Sequence, residues 1–246
     1  MNHENRNITK YLFNDKTGRV QLIESYGSDL TIVNSARVSF GAKREELSKR
    51  DKKLIKYLIE HKHTSVFEHC GLTCKFVVPL FIRSQHHRHR TWSYNEISRR
   101  YTNVNMQFYE PSKFRSQSDS NRQASTDILI NPKVSYFDVD GGEGRYDWAS
   151  LAVRNHHEYS LGLYGDLIES GVCREQARGV LPQNLYTEYY GTVNLSNLIK
   201  FIDLRLHEGA QWEIQQVAKA LLEIAEELWP ETIGAFREVG GFKNDS

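Results

Sequence analysis

Residues 83–101 read RSQHHRHRTWSYNEISRRY, a stretch in which guanidiniums, imidazoles and aromatic rings crowd together around a single aliphatic side chain, Ile97. Five arginines (Arg83, Arg88, Arg90, Arg99 and Arg100) and three histidines (His86, His87 and His89) stand against a formal charge of only +1 for the whole chain. The basicity is local, which suits a bound anion better than a generally basic surface. Arginine presents a planar fork of donors that matches phosphate oxygens and stays charged at any physiological pH. If Arg88-His89-Arg90 is extended, the two guanidiniums face one way and the imidazole the other. Further on, Ser93, Asn95, Glu96 and Ser98 alternate with Tyr94 and Ile97, a mixture able to read the edge of a polar heterocycle while apolar neighbours enclose it. Two other readings stay open. The run could be a solvated or nucleic-acid-binding face, against which Glu96 and the lack of basic runs beyond 43–53 count. His86, His87 and His89 could hold a metal, against which the neighbouring arginines count.

Working outward, Leu72, Cys74, Phe76 and Val78 alternate with Thr73, Lys75 and Val77 as in a half-buried strand. Pro79 suits the first turn of a short helix, Leu80 to His87, that delivers the basic stretch. Upstream, residues 18–26 alternate as a strand, Ser28 or Asp29 caps a helix running toward Arg37, and Leu54, Ile55, Leu58 and Ile59 form the apolar stripe of another helix. His61, His63 and His69 then fall at a turn, as metal ligands or as a pocket wall. Downstream, residues 107–111 read as a short strand, and the Ser-, Asn-, Asp- and Gly-rich segment 112–146 as a polar surface insertion. The rest is mostly helical. Helices are expected from Asp147 to Gly171, from Arg174 to Leu181, from Leu195 to Leu206 with Asn194 as cap, and from Ala210 to Leu228, which Pro230 ends. The aromatic and β-branched run 185–193 is a strand among them. This is a mixed α/β fold, read as one domain over 1–246 with a central sheet flanked by long helices.

The composition is that of an ordinary globular protein, with 39% hydrophobic and 26% charged residues among 246. No apolar run approaches the ~20 residues of a membrane helix, and the N-terminus lacks the apolar region of a signal peptide, so a cytoplasmic protein is expected. Three cysteines, Cys70, Cys74 and Cys173, are too few for a disulfide framework. Cys173, beside Arg174 at a helix start, is the one whose thiolate would be favoured.

The string Arg88-His89-Arg90-Thr91-Trp92-Ser93-Tyr94-Asn95-Glu96-Ile97-Ser98-Arg99-Arg100-Tyr101 resembles the signature RHRxxSxNExSxRY of the flavin-dependent thymidylate synthases, with every fixed position filled. The resemblance extends over roughly residues 18–235. It implies an α/β domain that assembles as a homotetramer with active sites shared between subunits. It also implies transfer of a one-carbon unit from methylenetetrahydrofolate to dUMP, reduced to a methyl group with hydride from FAD that NADPH reloads. By the same resemblance Arg88, His89 and Arg90 hold FAD, with Ser39 of ARVSF, His63 and Ser65 of HKHTSVFEH, Glu96, Asn194 and Lys200. Gln85, Arg88, Glu96, Ile97, Ser98, Arg99 and Arg100 form the dUMP pocket, joined by Arg178 from a neighbouring subunit and by Arg205 as the catalytic, ring-polarising residue. No metal is implied. The chain departs from the family at Ser196 and Lys200, where relatives often carry Arg and Asn, and at Gly209, where many carry a histidine that His207 could replace.

The residue types suit that chemistry. Carbon five of uracil must become nucleophilic, and none of the cysteines lies in the Pro-Cys-His setting of thymidylate synthases that attack carbon six. Fixed cations around the developing negative charge are the alternative. Arg205 is suited to that role, with Arg178 in support, because a guanidinium stabilises charge and does not take protons. Ser98 lacks an adjacent base and is assigned to binding. Competing functions are a flavin oxidoreductase acting on another nucleotide, a nucleic-acid-binding protein and a metal hydrolase.

Overall fold

The computed structural model describes residues 8–98, 100, 106–119, 121, 122, 124–136 and 145–242. The chain gathers into two compact units. The first takes in residues up to Val78, Ile82–Glu96 and Glu188 onward, and the second Pro79–Phe81 and Ile97–Thr187.

The first unit is built on a five-stranded sheet, β1 (Thr9–Tyr11), β2 (Arg19–Tyr26), β3 (Gly71–Pro79), β9 (Tyr186–Asn194) and β4 (Ser93–Glu96), in the order β1-β2-β3-β9-β4. β1–β2, β2–β3 and β4–β9 are antiparallel, and the Leu195 N–H on the Cys70 carbonyl with the Thr73–Thr192 hydroxyl pair runs β3 against β9 in the same sense. The expected strands at 18–26, 72–78 and 185–193 are all present. Register places Val20 opposite Phe76 and Leu22 opposite Cys74, so buried side chains share one face. At Gly191, opposite Tyr94, a Cβ would come within 2.9 Å of the Phe76 ring and 3.3 Å of Trp92. Only a hydrogen there lets two rings close over the strand.

Around the sheet lie α1 (Asp29–Arg37), α2 (Lys49–Glu60), α6 (Leu195–Arg205), α7 (Trp212–Leu228) and α8 (Pro230–Glu238). Ser28 caps α1 with Thr31, and Ser48 with Asp51 forms a capping box on α2. Asn194 caps α6, its Oδ1 accepting the Asn197 N–H at 2.9 Å. Pro230 does more than end α7: it opens α8, whose first amides are met by Asp29, with Oδ2 accepting from Glu231 and Oδ1 from Thr232. A proline that stops one helix also has the φ that starts the next. Residues Ala210 and Gln211, read as helical, form the approach to α7, with Gln211 as its cap.

In the second unit, segment 112–146 contributes two hairpins, β5 (Phe114–Gln117) with β6 (Ser125–Ile130), and β7 (Lys133–Tyr136) with β8 (Arg145–Trp148). The glycine tract 140–144 lies outside the described residues. α4 (Ala149–Glu169) begins two residues later than expected because β8 runs to Trp148. Residues 107–111 make a single bridge, Phe108 to Leu185, in place of a strand. The helix expected from Arg174 to Leu181 divides into α5 (Arg174–Ala177) and a tight turn over Arg178–Val180. Tyr164, Ala177, Leu181 and Leu185 form the unit's core.

Candidate active site

α3 (Leu80–His86) carries the basic stretch out of β3. Beyond it the chain coils: the His87 N–H reaches the Arg83 carbonyl at 2.9 Å, Arg88 reaches Gln85 at 3.3 Å, and His89 reaches His86 at 3.0 Å. Arg88-His89-Arg90 is therefore a turn, and the alternate-face geometry of an extended strand does not apply. The reason lies in His86, which is fully buried and anchors the helix end. It packs edge-on to Phe76 and Trp92 and against Phe201, and its Nδ1 meets the Tyr189 hydroxyl at 2.7 Å. Burial, and then the charges of its neighbours, hold His86 well below the ordinary histidine pKa, so the ring stays neutral.

The turn aims His89 at the last residue of α6. Arg205 Nε donates to His89 Nε2 at 2.9 Å, a contact between residues 116 apart in sequence. To accept there, the neutral His89 ring carries its proton on Nδ1. Burial, and next the Arg205 charge, push the His89 pKa down to about 4. Burial also lowers the pKa of Arg205, which remains charged at neutral pH because a guanidinium starts so high. The result is a half-buried cation beside aromatic rings with a neutral partner in place of a carboxylate. Its field is available to a ligand that develops negative charge.

Glu96, in β4, pairs with Arg83 Nε at 3.1 Å, and Gln85 donates to Gln211 at the start of α7. Arg88 and Arg90 are exposed, and neither forms an ion pair among the described residues. Two exposed guanidiniums on one turn, two residues apart and without an ion-pair partner among the described residues, suit the diphosphate of a dinucleotide such as FAD. Lys200, on α6, is another exposed cation of this unit, at the rim of a cavity of about 250 Å³ lined by Leu58, Ile59, Phe67, Ser196, Ile199 and Phe236, among others. Ser39 lies on an exposed turn between Val38 and Phe40. His63 and Ser65 are exposed at the start of the turn Thr64–His69, which Ser35 ties to α1 through the Val66 carbonyl at 3.5 Å. His63 stands edge-on to Tyr57 at 6.1 Å, and the His63 N–H bonds the Leu58 carbonyl. Asn194 spends its side-chain oxygen on the helix cap, which leaves its amide group as the donor for a ligand. The His207 Nδ1 accepts the Gly209 N–H at 3.0 Å and lies 3.2 Å from where a Cβ at 209 would stand. Its ring thus occupies the space beside Gly209. No three His, Cys, Asp or Glu side chains stand together as metal ligands among the described residues.

In the second unit, Ile97 is exposed, Ser98 accepts the Arg100 N–H at 3.3 Å, and Arg99 lies outside the described residues. Arg100 pairs with the Glu175 carboxylate at 3.1 Å, while Arg178 Nε donates to the Glu175 carbonyl at 3.3 Å. Sequence reading missed Glu175 as the common partner of two predicted nucleotide-binding arginines. Its carboxylate is met by Arg100 and only its backbone carbonyl by Arg178, so no local side-chain spacing signalled the role. Tyr189, Phe201 and Gln211, which hold His86, His89 and Gln85, carry no local signal of their roles, because each reaches its partner from a distant element, whereas Arg83, the partner of Glu96, lies in the opening stretch itself.

The family described as thymidylate synthase complementing protein matches residues 21–231. The chain belongs to that family. A flavin-dependent thymidylate synthase of Thermus thermophilus is 42% identical over 221 residues, 90% of this chain and 76% of the relative. That of Thermosipho africanus is 38% identical over 227 residues, 92% and 93% of the two chains. The crystal structure of the UMP/dUMP methylase PolB from Streptomyces cacaoi, bound with 5-Br dUMP, matches with a TM-score of 0.74 at 31% identity, covering 93% of this chain and 97% of PolB. As a member of the family the protein is a flavin-dependent thymidylate synthase, and so a methyltransferase that makes dTMP. The synthase carries no helix long and apolar enough to cross a membrane among its described residues.

Proposed function

We propose that this synthase methylates dUMP with methylenetetrahydrofolate as one-carbon donor and NADPH as reductant, releasing dTMP and tetrahydrofolate. FAD supplies the hydride that turns the transferred methylene into a methyl group. The observation that carries the reading is the Arg205–His89 contact, which joins the family signature to a charged, half-buried guanidinium at the end of α6. Arg205 stabilises negative charge on the pyrimidine as carbon five attacks the one-carbon unit, and so lowers the cost of ionising the ring. His89, neutral, holds the Arg205 fork in place without quenching its charge.

Gln85, Arg88, Glu96, Ile97, Ser98, Arg99 and Arg100 make the remaining dUMP contacts, with Arg178 contributed by a neighbouring copy in a homotetramer. Arg88, His89 and Arg90 hold FAD together with Ser39, His63, Ser65, Glu96, Asn194 and Lys200. Lys200 meets a phosphate from the rim of the 58–67/196–203 cavity, and His207 takes the position vacated at Gly209. Residues 1–246 act as one catalytic domain, in the cytoplasm, with 112–146 as a polar surface insertion.

The test is the visible spectrum of the purified protein, then anaerobic NADPH with and without dUMP. A flavin band that bleaches faster with dUMP supports cofactor, reductant and nucleotide together. A colourless protein that takes up no added FAD refutes the reading.

A further inference from the structure

Tyr94 fills one of the variable positions of the signature. From β4 its ring stacks on His87 with centroids 4.1 Å apart at 30°, and lies parallel to Trp92 at 6.1 Å and edge-on to Tyr189. This packing sends the phenol back over the turn that follows α3. Its Oη stands 2.9 Å from the His86 carbonyl oxygen and 3.2 Å from the His89 carbonyl oxygen. One hydroxyl proton thus serves two acceptors that mark the ends of the coil. Of the bonds the coil makes for itself, those of the His87 and His89 N–H groups are ordinary, at 2.9 and 3.0 Å, while those of Arg88 and Trp92 are long, at 3.3 and 3.4 Å, so the coil is held weakly at those two residues. Burial raises the Tyr94 pKa far above any working pH, and the hydroxyl keeps its proton.

We propose that Tyr94 is a positioning residue for thymidylate synthesis, its hydroxyl clasping the 86–89 coil so that the His89 ring meets Arg205 and the Arg88 and Arg90 guanidiniums stand as a fixed pair. The inference rests on the reading of this turn as flavin- and nucleotide-binding surface. It is independent of the fold, since the ring of a phenylalanine would keep the stacking on His87 and lose only the clasp. The effect on the chemistry is indirect. A coil free to unwind lets His89 drift from Arg205, and the cation is then held by its own rotamers alone.

The experiment compares Tyr94→Phe with wild-type holoenzyme, using Thr192→Val as the control, which removes the Thr73–Thr192 hydroxyl pair at 2.9 Å in the same sheet. Two readings are taken: kcat and KM for dUMP, and the titration of His89 by NMR of histidine-labelled protein. The groups facing His89 are Arg205 and Phe201 from α6 and His86 from α3. In wild type, His89 resists protonation between pH 5 and 8. In Tyr94→Phe it titrates within that range as water reaches the ring, and kcat falls on the order of tenfold, more than KM rises. Thr192→Val moves neither reading. If His89 in Tyr94→Phe still resists protonation, the clasp is wrong whatever the activity. If His89 titrates while turnover is unchanged, the clasp stands and the catalytic reading of the turn is what fails.

Discussion

The arginines assigned to the nucleotide fall into two groups that the protein treats differently. In the first unit Arg205 is half-buried beside aromatic rings and bonded to a neutral imidazole, and Arg88 is exposed with no ion-pair partner among the described residues. In the second unit Arg100 and Arg178 are exposed and both engaged by one residue, Glu175, through its carboxylate and its carbonyl. A charge in a desolvated setting with a neutral partner acts strongly on what approaches it. An exposed charge acts weakly because water and salt screen it, and that of Arg100 is further offset by the Glu175 carboxylate, whereas Arg178 has only a carbonyl as partner. The difference separates a group built to act on developing charge from one that holds a charge already present, such as a phosphate.

The most severe test is Arg205→Ala. Removing a fixed electrostatic stabiliser from such a site costs about 10²–10³-fold in kcat. The variant should stay folded and yellow, since of the flavin contacts named above only His89 touches Arg205, and dTMP formation should nearly cease. Arg205→Lys should recover only part of the loss, because a point charge replaces a fork. Near-normal turnover in Arg205→Ala would erase the contrast between the two groups.

A second test uses pH. His86 and His89 are both held neutral, His89 with its pKa at about 4, whereas in the unfolded chain a histidine titrates near 6.5. Between those values the unfolded chain binds more protons than the folded one, so stability falls as pH is lowered through the window. Asp51, held down to about 2 chiefly by Ser48 hydrogen bonds, has the same sign in a lower window, from 3.8 to 2. Asp29, raised by burial, works in the opposite sense above 3.8 and so opposes the histidines in the lower part of their window. The slope of Tm against pH from 6.5 to 4 should therefore be compared between wild type and His86→Phe, and it should be shallower in the variant even if the variant is less stable throughout. Asp51→Asn should leave that slope alone and flatten the one below pH 3.8. An unchanged slope in His86→Phe would mean that the ring takes up its proton without opening the aromatic cluster.

The same contrast accounts for what could be read from the sequence. The signature was legible because its chemistry is concentrated in fourteen consecutive residues, and β2, β3, β9 and the Asn194 cap because alternation and capping are local rules. The turn at Arg88-His89-Arg90 was not, since alternating polar residues look the same whether a strand or a coil carries them, and the buried His86 that decides the matter is fixed by Tyr189 across the sheet. α8 was hidden by reading Pro230 only as a stop, when the acid that caps the new helix, Asp29, lies two hundred residues away. The two hairpins in 112–146 were masked by the polar composition around them, although the run Ser125–Ile130 has β-branched residues at alternate positions, Thr126, Ile128 and Ile130. Glu175 sat in a helix already drawn, but the meaning of its charge depends on Arg100, which arrives from the signature.

The smallest expected effect is also the one that discriminates most finely. The Arg100–Glu175 pair is about half exposed on both sides, and such pairs are worth roughly 0–1 kcal/mol, so replacing Glu175 with Gln should change dUMP binding no more than about fivefold. The direction carries the information. If Arg100 holds the phosphate, it must leave Glu175 to do so, and the carboxylate competes with the substrate. Glu175→Gln then lowers KM for dUMP about two- to fivefold with kcat unchanged, and the gain shrinks as salt screens the released charge. A higher KM would mean that Glu175 aims Arg100 and does not restrain it, in which case the second group of arginines is as deliberately placed as the first.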